Sequence, residues 1–329
     1  MRFLPQTEET VRRMLDVVGV EAVDDVFRDV PKRLRETAAI ALPAGLPEQA
    51  TLARLAELGE RNRAVGALSF LGAGAYQHFV PAAVDNLLQR AEFYSAYTPY
   101  QPEVSQGTLQ AIFEFQTMVA LLLGLDVANA SMYDGASAAA EAALMALRVQ
   151  RKRERLIVAR SLHPQYREVL ATYLQGVAGA EVVEVGFDES GRVDRAALAA
   201  MLDERCAGIL VGTPNFFGVI EDVAGLSGIA RQHGALTITA TAESMALAAV
   251  RSPGDCGADI AVAEGQSLGV PLSYGGPGVG LFAARDRYVR ALPGRLVGEA
   301  VDGDGRRGYV LTLATREQHI RRERATSNI

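Results

Sequence analysis

Apolar residues change their spacing near residue 130. Before that point they recur at helical intervals, predicting short amphipathic helices within 7–35, then helices over 48–67, 81–93 and 108–125. Thr7, with Glu8 and Glu9 behind it and Thr10 three positions on, predicts a capped helix start. Residues 42–47, with two prolines, read as a linker, and 72–74 as a loop. The stretch YSAYTPYQPEVSQG at 94–107 has three tyrosines and two prolines and cannot be a regular helix. After residue 130 short β-rich runs alternate with helical ones. Strands are expected at 156–159, 182–185, 209–212, 236–239, 260–263 and 279–283. Helices are expected at 136–150, 165–175, 194–203, 226–233 and 285–292. That alternation predicts an α/β domain with a mostly parallel sheet flanked by helices. Such sheets bind ligands beyond the carboxyl ends of their strands, so the loops there are where chemistry is expected.

Composition narrows the classes. The chain has 329 residues and a formal charge of −6, which argues against a nucleic-acid binder. Two cysteines, Cys206 and Cys256, give neither a disulfide framework nor a Cys-based metal site, and a reducing cytoplasm is the simplest setting. The first residues lack the apolar core of a secretory signal. The most apolar stretch, 112–130, is broken by Glu114, Gln116, Gly124, Asp126 and Asn129, so no membrane span is expected. His78, His163, His233 and His319 lack metal-ligand spacing, and no metal is expected. The glycines at 72–74 and 275–278 fail the strand–turn–helix context of a dinucleotide fingerprint. The 151–155 run RKRER suits the C-terminal end of a helix. One count matters more. Of 33 basic residues only Lys32 and Lys152 are lysines. Chemistry that needs an amine has two candidates.

Four loops could carry a site: MYDGAS at 132–137, GTPNFFG at 212–218, TATAES at 239–244 and EGQSLGVPLSYGGPG at 264–278. Small residues opening a helix at 135–137 can receive an anion on free backbone N–H groups, although Asp134 before them also reads as a plain cap.

The wording of the chain resembles a known family. The residues that carry it are FLGAGAY (70–76), FYSAYTPYQPE (93–103), SQGTLQ (105–110), ANASMYDGA (128–136), PNFFGVIED (214–222), GQSLG (265–269), PGRLVGE (293–299) and REQHIRR (316–322). Together they are similar to the α, or N-terminal-half, subunits of the glycine cleavage system P-protein, the glycine dehydrogenase (decarboxylating) of two-subunit bacterial type. The resemblance runs from Met1 to Ile329. It implies a pyridoxal-phosphate-dependent transferase-like fold (fold type I), with a mostly parallel sheet and an N-terminal helical extension. It further implies decarboxylation of glycine and transfer of the aminomethyl group to the lipoyl arm of the H-protein. In that chemistry the protein supplies an aldimine lysine, a ring-nitrogen carboxylate and a phosphate cradle.

Against that expectation the lysine count is decisive. The position that would carry the lysine is Gln266, which has no amine to form an aldimine. Lys32 and Lys152 lie in segments remote from it in sequence. By the resemblance, pyridoxal phosphate is held by the partner β subunit, and this chain is inactive alone. Asp134, Gly135, Ser137, Glu243 and Gln266 are then vestigial cofactor-type positions, with Glu243 standing where relatives usually carry Asp; Glu243 as a simple helix cap is the alternative. Tyr94, Tyr97, Thr98, Tyr100 and Gln106 are expected to line the partner's pocket or the lipoyl entry, against the alternative of a subunit contact with no catalytic part. The expected partners are the β subunit, lipoylated H-protein and glycine, in pairs of αβ units. A non-catalytic scaffold subunit is the rival reading, and a free-standing pyridoxal enzyme is disfavoured by the missing lysine. The expected division is a helical extension over 1–67, a large α/β domain over 68–310 and the start of a small domain, cut short, over 311–329.

Overall fold

The computed structural model describes residues 5–38, 41–62, 66–93, 98–313, 320 and 322. It falls into two compact units, Met1–Ser69 and Phe70–Ile329. The first holds α1 (Glu8–Val18), α2 (Lys32–Thr37) and α3 (Glu48–Glu60), none of which buries a residue. The Thr7 hydroxyl accepts from the Thr10 N–H, the cap its sequence predicts, and Gly19 ends α1 with φ of +77°. The helix expected over 48–67 ends at Glu60.

The second unit opens with α4 (Ala82–Leu88) and α5 (Gln106–Leu123), joined through short 3-10 turns at Ala91–Phe93 and Pro102–Val104. The following elements are β1 (Val127–Ala128), α6 (Gly135–Val149), β2 (Arg155–Ala159), α7 (Pro164–Leu174), β3 (Glu181–Val185), α8 (Arg195–Met201), β4 (Cys206–Gly212), α9 (Val223–Gln232), β5 (Leu236–Thr241), β6 (Ile260–Glu264), β7 (Gly280–Ala284), β8 (Leu296–Val301) and β9 (Arg307–Thr312). The described strands form a seven-stranded sheet in the order β1-β7-β6-β5-β4-β2-β3 and a separate β8-β9 hairpin. Strands β3, β2, β4, β5 and β6 run parallel; β7 lies antiparallel to β6, and the edge strand β1 antiparallel to β7. The residues over 285–292, expected as a helix, form a 3-10 turn at Asp286–Ala291.

Apolar and small β-branched residues without a charge explain the central strands. Every residue of β4 (CAGILVG) and of β5 (LTITAT) is buried, as helices on both faces require. Edge strand β3 (EVVEV) instead alternates toward water. One face of the sheet packs Leu156, Leu210, Ile238, Val262 and Phe282 against α6 and α7. Alanines at 138–140, 142, 143 and 146 let α6 lie close across the sheet. The other face packs Ile157, Ile209 and Val211 with α8 and α9, and Ala261, Ala263 and Leu281 with α5. The result is three layers, with the N-terminus of α6 brought to the carboxyl end of β6. Among the described residues no helix is long and apolar enough to cross a membrane.

Candidate functional site

The cleft where a ligand is expected lies at the carboxyl ends of β5 and β6. Its volume is about 530 Å³, and its walls include Gly74, Asp134, His163, Tyr166, Glu264 and Gln266. An adjoining cavity of about 270 Å³ shares the Gly74, His163, Tyr166 and Ala242 walls and reaches Glu243. Asp134 and Gln266 line the first of these, Glu243 the second, and Gly135 and Ser137 open α6 directly after Asp134.

Each of them is already engaged. Asp134 caps α6: its carboxylate accepts from the Ser137 N–H at 2.7 Å, and the Ser137 hydroxyl accepts from the Asp134 N–H at 3.1 Å. Gly135 is where two layers meet. A Cβ there would collide with the Tyr166 hydroxyl and lie 2.9 Å from the Glu264 nitrogen. Its N–H donates to Glu264 Oε2 at 2.8 Å, while Glu264 Oε1 accepts from the N–H groups of Gln266 at 2.8 Å and Val279 at 3.0 Å. The first N–H of α6, at Gly135, therefore faces a carboxylate of the same chain, and the Ser137 N–H faces the capping Asp134. Gln266 turns its amide back onto the Val270 carbonyl, within its own loop.

Glu243 caps the turn after β5 and also pairs with His78. Its Oε1 accepts from the Met245 N–H at 2.9 Å, capping the 3-10 turn Ser244–Ala248, and Oε2 meets His78 Nε2 at 3.0 Å. Burial pushes its carboxyl up, but hydrogen bonds from Ser267, Met245 and His78 outweigh burial and leave it lowered.

Two residues that sequence reasoning left as scattered or silent line the cleft. His163 accepts from the Gln165 N–H on Nδ1 at 3.2 Å and donates from Nε2 to the Ala73 carbonyl at 2.8 Å, which fixes one tautomer. Its ring packs edge-on to Phe216, 5.2 Å between centroids, and beside Tyr166 at 5.4 Å. Tyr166 is 8% exposed, and burial with the neighbouring Glu264 and Asp134 carboxylates pushes its hydroxyl well up. One signal could have found them: the SLHPQY turn at 161–166, just after a predicted strand.

Of the five residues expected to reach a partner, Tyr94 and Tyr97 lie outside the described residues. Thr98 accepts the Tyr100 N–H on its carbonyl at 2.9 Å. Tyr100 is exposed, with its hydroxyl 2.9 Å from an Arg295 Nη2 donor and its ring 5.5 Å from that guanidinium. Gln106 is tied to β9: its Nε2 donates to the Tyr309 carbonyl and its Oε1 accepts from the Tyr309 N–H, both at 2.9 Å.

Pyridoxal phosphate does not fit the residues present. Gln266 offers no amine, the Gly135 N–H is taken by Glu264, and among the described residues no Arg or Lys lines the cleft, which instead carries Asp134, Glu168 and Glu264.

Comparison with known proteins places this geometry. The family described as "Glycine cleavage system P-protein" matches residues 1–329. A probable glycine dehydrogenase (decarboxylating) subunit 1 of Sorangium cellulosum is 55% identical over 333 residues, spanning 100% of this chain and 73% of that protein. Its counterpart in Anaeromyxobacter dehalogenans is 55% identical over 329 residues, with 100% and 73% covered. The crystal structure of the glycine decarboxylase (P-protein) of the glycine cleavage system, in inhibitor-bound form, superposes with a TM-score of 0.88 at 46% identity, over 100% of this chain and 73% of that one. A Burkholderia pseudomallei sphingosine-1-phosphate lyase shares the fold alone, with a TM-score of 0.55 at 17% identity over 86% and 68% of the two chains. A fold-type-I architecture of the pyridoxal-phosphate class, and identity above one half over its whole length, make this chain a member of the glycine cleavage system P-protein family.

Proposed function

We propose that this chain is the α subunit, subunit 1, of a two-subunit glycine dehydrogenase (decarboxylating). In this reading the assembled enzyme decarboxylates glycine and passes the aminomethyl group to the lipoyl arm of the H-protein. The observation that carries it is Gln266, an amide in a loop where the chemistry needs an amine, within a chain 55% identical to proteins named as subunit 1. Pyridoxal phosphate then belongs to the partner β subunit, in a complex built of αβ pairs. The cytoplasm suits it, since Cys206 and Cys256 are both free thiols.

This chain's share of the work falls to the region from Tyr94 to Gln106, with Tyr94, Tyr97, Thr98 and Tyr100 facing the partner's pocket or the lipoyl entry. Gln106, both ends of its amide committed to Tyr309, holds that region in place. The same commitment favours a second reading, in which the chain is a scaffold for the β subunit or for H-protein docking. Reconstitution tests both. Glycine–bicarbonate exchange is expected only when this chain, a lysine-bearing partner and lipoylated H-protein are all present, and full exchange by the partner without this chain would refute a shared site. Tyr100→Phe, with assembly intact, is expected to slow exchange; an unchanged rate favours the scaffold.

A further inference from the structure

We propose that Glu264 is an internal counter-anion: its carboxylate fills the anion-receiving N-terminus of α6 and closes the cleft of this chain to phosphate-bearing ligands. The proposal deepens the reading above and rests on it for the identity of the excluded ligand; the cradle itself is argued from geometry.

A helix N-terminus beyond a parallel strand is a ready anion site, because its first N–H groups lack helical partners and the helix dipole points positive there. α6 runs for 15 residues from Gly135, long enough to develop that dipole. Its opening N–H, at Gly135, and those of Gln266 and Val279 converge on one carboxylate, at 2.8, 2.8 and 3.0 Å. Three charge-assisted hydrogen bonds to a side chain ending β6 neutralise the donors a phosphate would use.

A second observation points to the same spot. The Tyr166 side chain is more than nine-tenths buried, its hydroxyl lies against Gly135 in the wall of the cleft, and among the described residues that hydroxyl has no hydrogen-bond partner. The tip of this buried side chain thus opens on the cleft, and its position beside the cradle fits a donor to a bound anion. With Glu264 in place an incoming phosphate would meet like charge, and the Asp134 and Glu168 carboxylates line the same cleft.

The experiment uses the full chain as wild type, Glu264→Ser and Glu264→Gln, with inorganic phosphate and then pyridoxal phosphate as probes. Melting is followed in phosphate and in chloride at matched ionic strength, and affinity by titration calorimetry. Wild type is expected to be indifferent to phosphate. Glu264→Ser is expected to melt lower in chloride, to be rescued by phosphate, and to bind phosphate at least about tenfold more tightly than wild type. Glu264→Gln, which keeps the size and one acceptor but drops the charge, is expected to gain less. Should Glu264→Ser not fold, a gain by Glu264→Gln over wild type carries the test. Phosphate binding by wild type equal to that of the variants, or no rescue in either variant, overturns the proposal. Neither readout involves activity, so failed reconstitution with a partner would refute the functional reading and leave this result standing.

Discussion

Glu221 is a carboxylate largely removed from water, 6% exposed, at the mouth of the loop after β4. Its oxygens accept from Asn215 Nδ2 at 2.8 Å, from the Val193 N–H at 3.1 Å and from the Ser161 hydroxyl at 3.2 Å. Asn215 in turn accepts the N–H groups of Phe217 and Val219 at 3.0 and 3.1 Å, so the turn is held by two side chains. Replacing Glu221 with Ala leaves the Val193 N–H and the Ser161 hydroxyl without that acceptor, while Asn215 keeps the Gly191 carbonyl; we expect a loss of about 2–3 kcal/mol, read by urea unfolding. The wording PNFFGVIED was legible as a motif, but the charge in it serves folding. Glu243 and Glu141 make opposite pH predictions. The Glu243 carboxyl is held below its ordinary value of 4.5, so its stabilising share is present above that pH and is lost as pH falls through the lowered value. Glu243→Gln should therefore flatten the fall in melting temperature on the acid side. Burial raises the Glu141 carboxyl, only partly offset by Arg148, so its cost grows as pH rises past 4.5. Glu141→Gln should raise the melting temperature at neutral pH, and the gain should vanish in acid. A pH series of melts on the two variants checks both signs.

At the scale of elements, the central strands and their helices were readable because burial on both faces demands runs of apolar and small β-branched residues. Strand β1 is two residues long and too short to leave a pattern. The β8-β9 hairpin went unread because Gly298 and Gly308 interrupt its β-forming residues, although the DGDG turn between the strands is a hairpin signal. The loop before α6 owes its position to β7: Met132 and Gly280 exchange backbone hydrogen bonds at 2.8 and 2.9 Å. A Cβ at Gly280 would strike the Asp134 carbonyl and come within 2.7 Å of the Met132 Cβ. Gly280→Ala should cost about 1–3 kcal/mol, and hydrogen exchange should quicken at the Gly135 and Ser137 amides while β4 and β5 stay protected. Uniform loosening of the sheet would contradict this coupling.

At the scale of the molecule, the chain keeps an architecture shaped for a cofactor while its own residues have filled the place. The strand–helix alternation and the family motifs announced the first half of that statement from sequence, and the lysine count with Gln266 announced that the amine is missing. The second half, the Glu264 carboxylate on the α6 N-terminus and the Gln266 amide folded onto Val270, depends on contacts across 129 residues and within a turn, which no local pattern encodes. The most direct measurement is borohydride reduction of the reconstituted complex with stoichiometric pyridoxal phosphate, followed by mass spectrometry of each subunit. The pyridoxyl mass is predicted on the partner subunit only; a stoichiometric adduct on Lys32 or Lys152 of this chain would contradict the account.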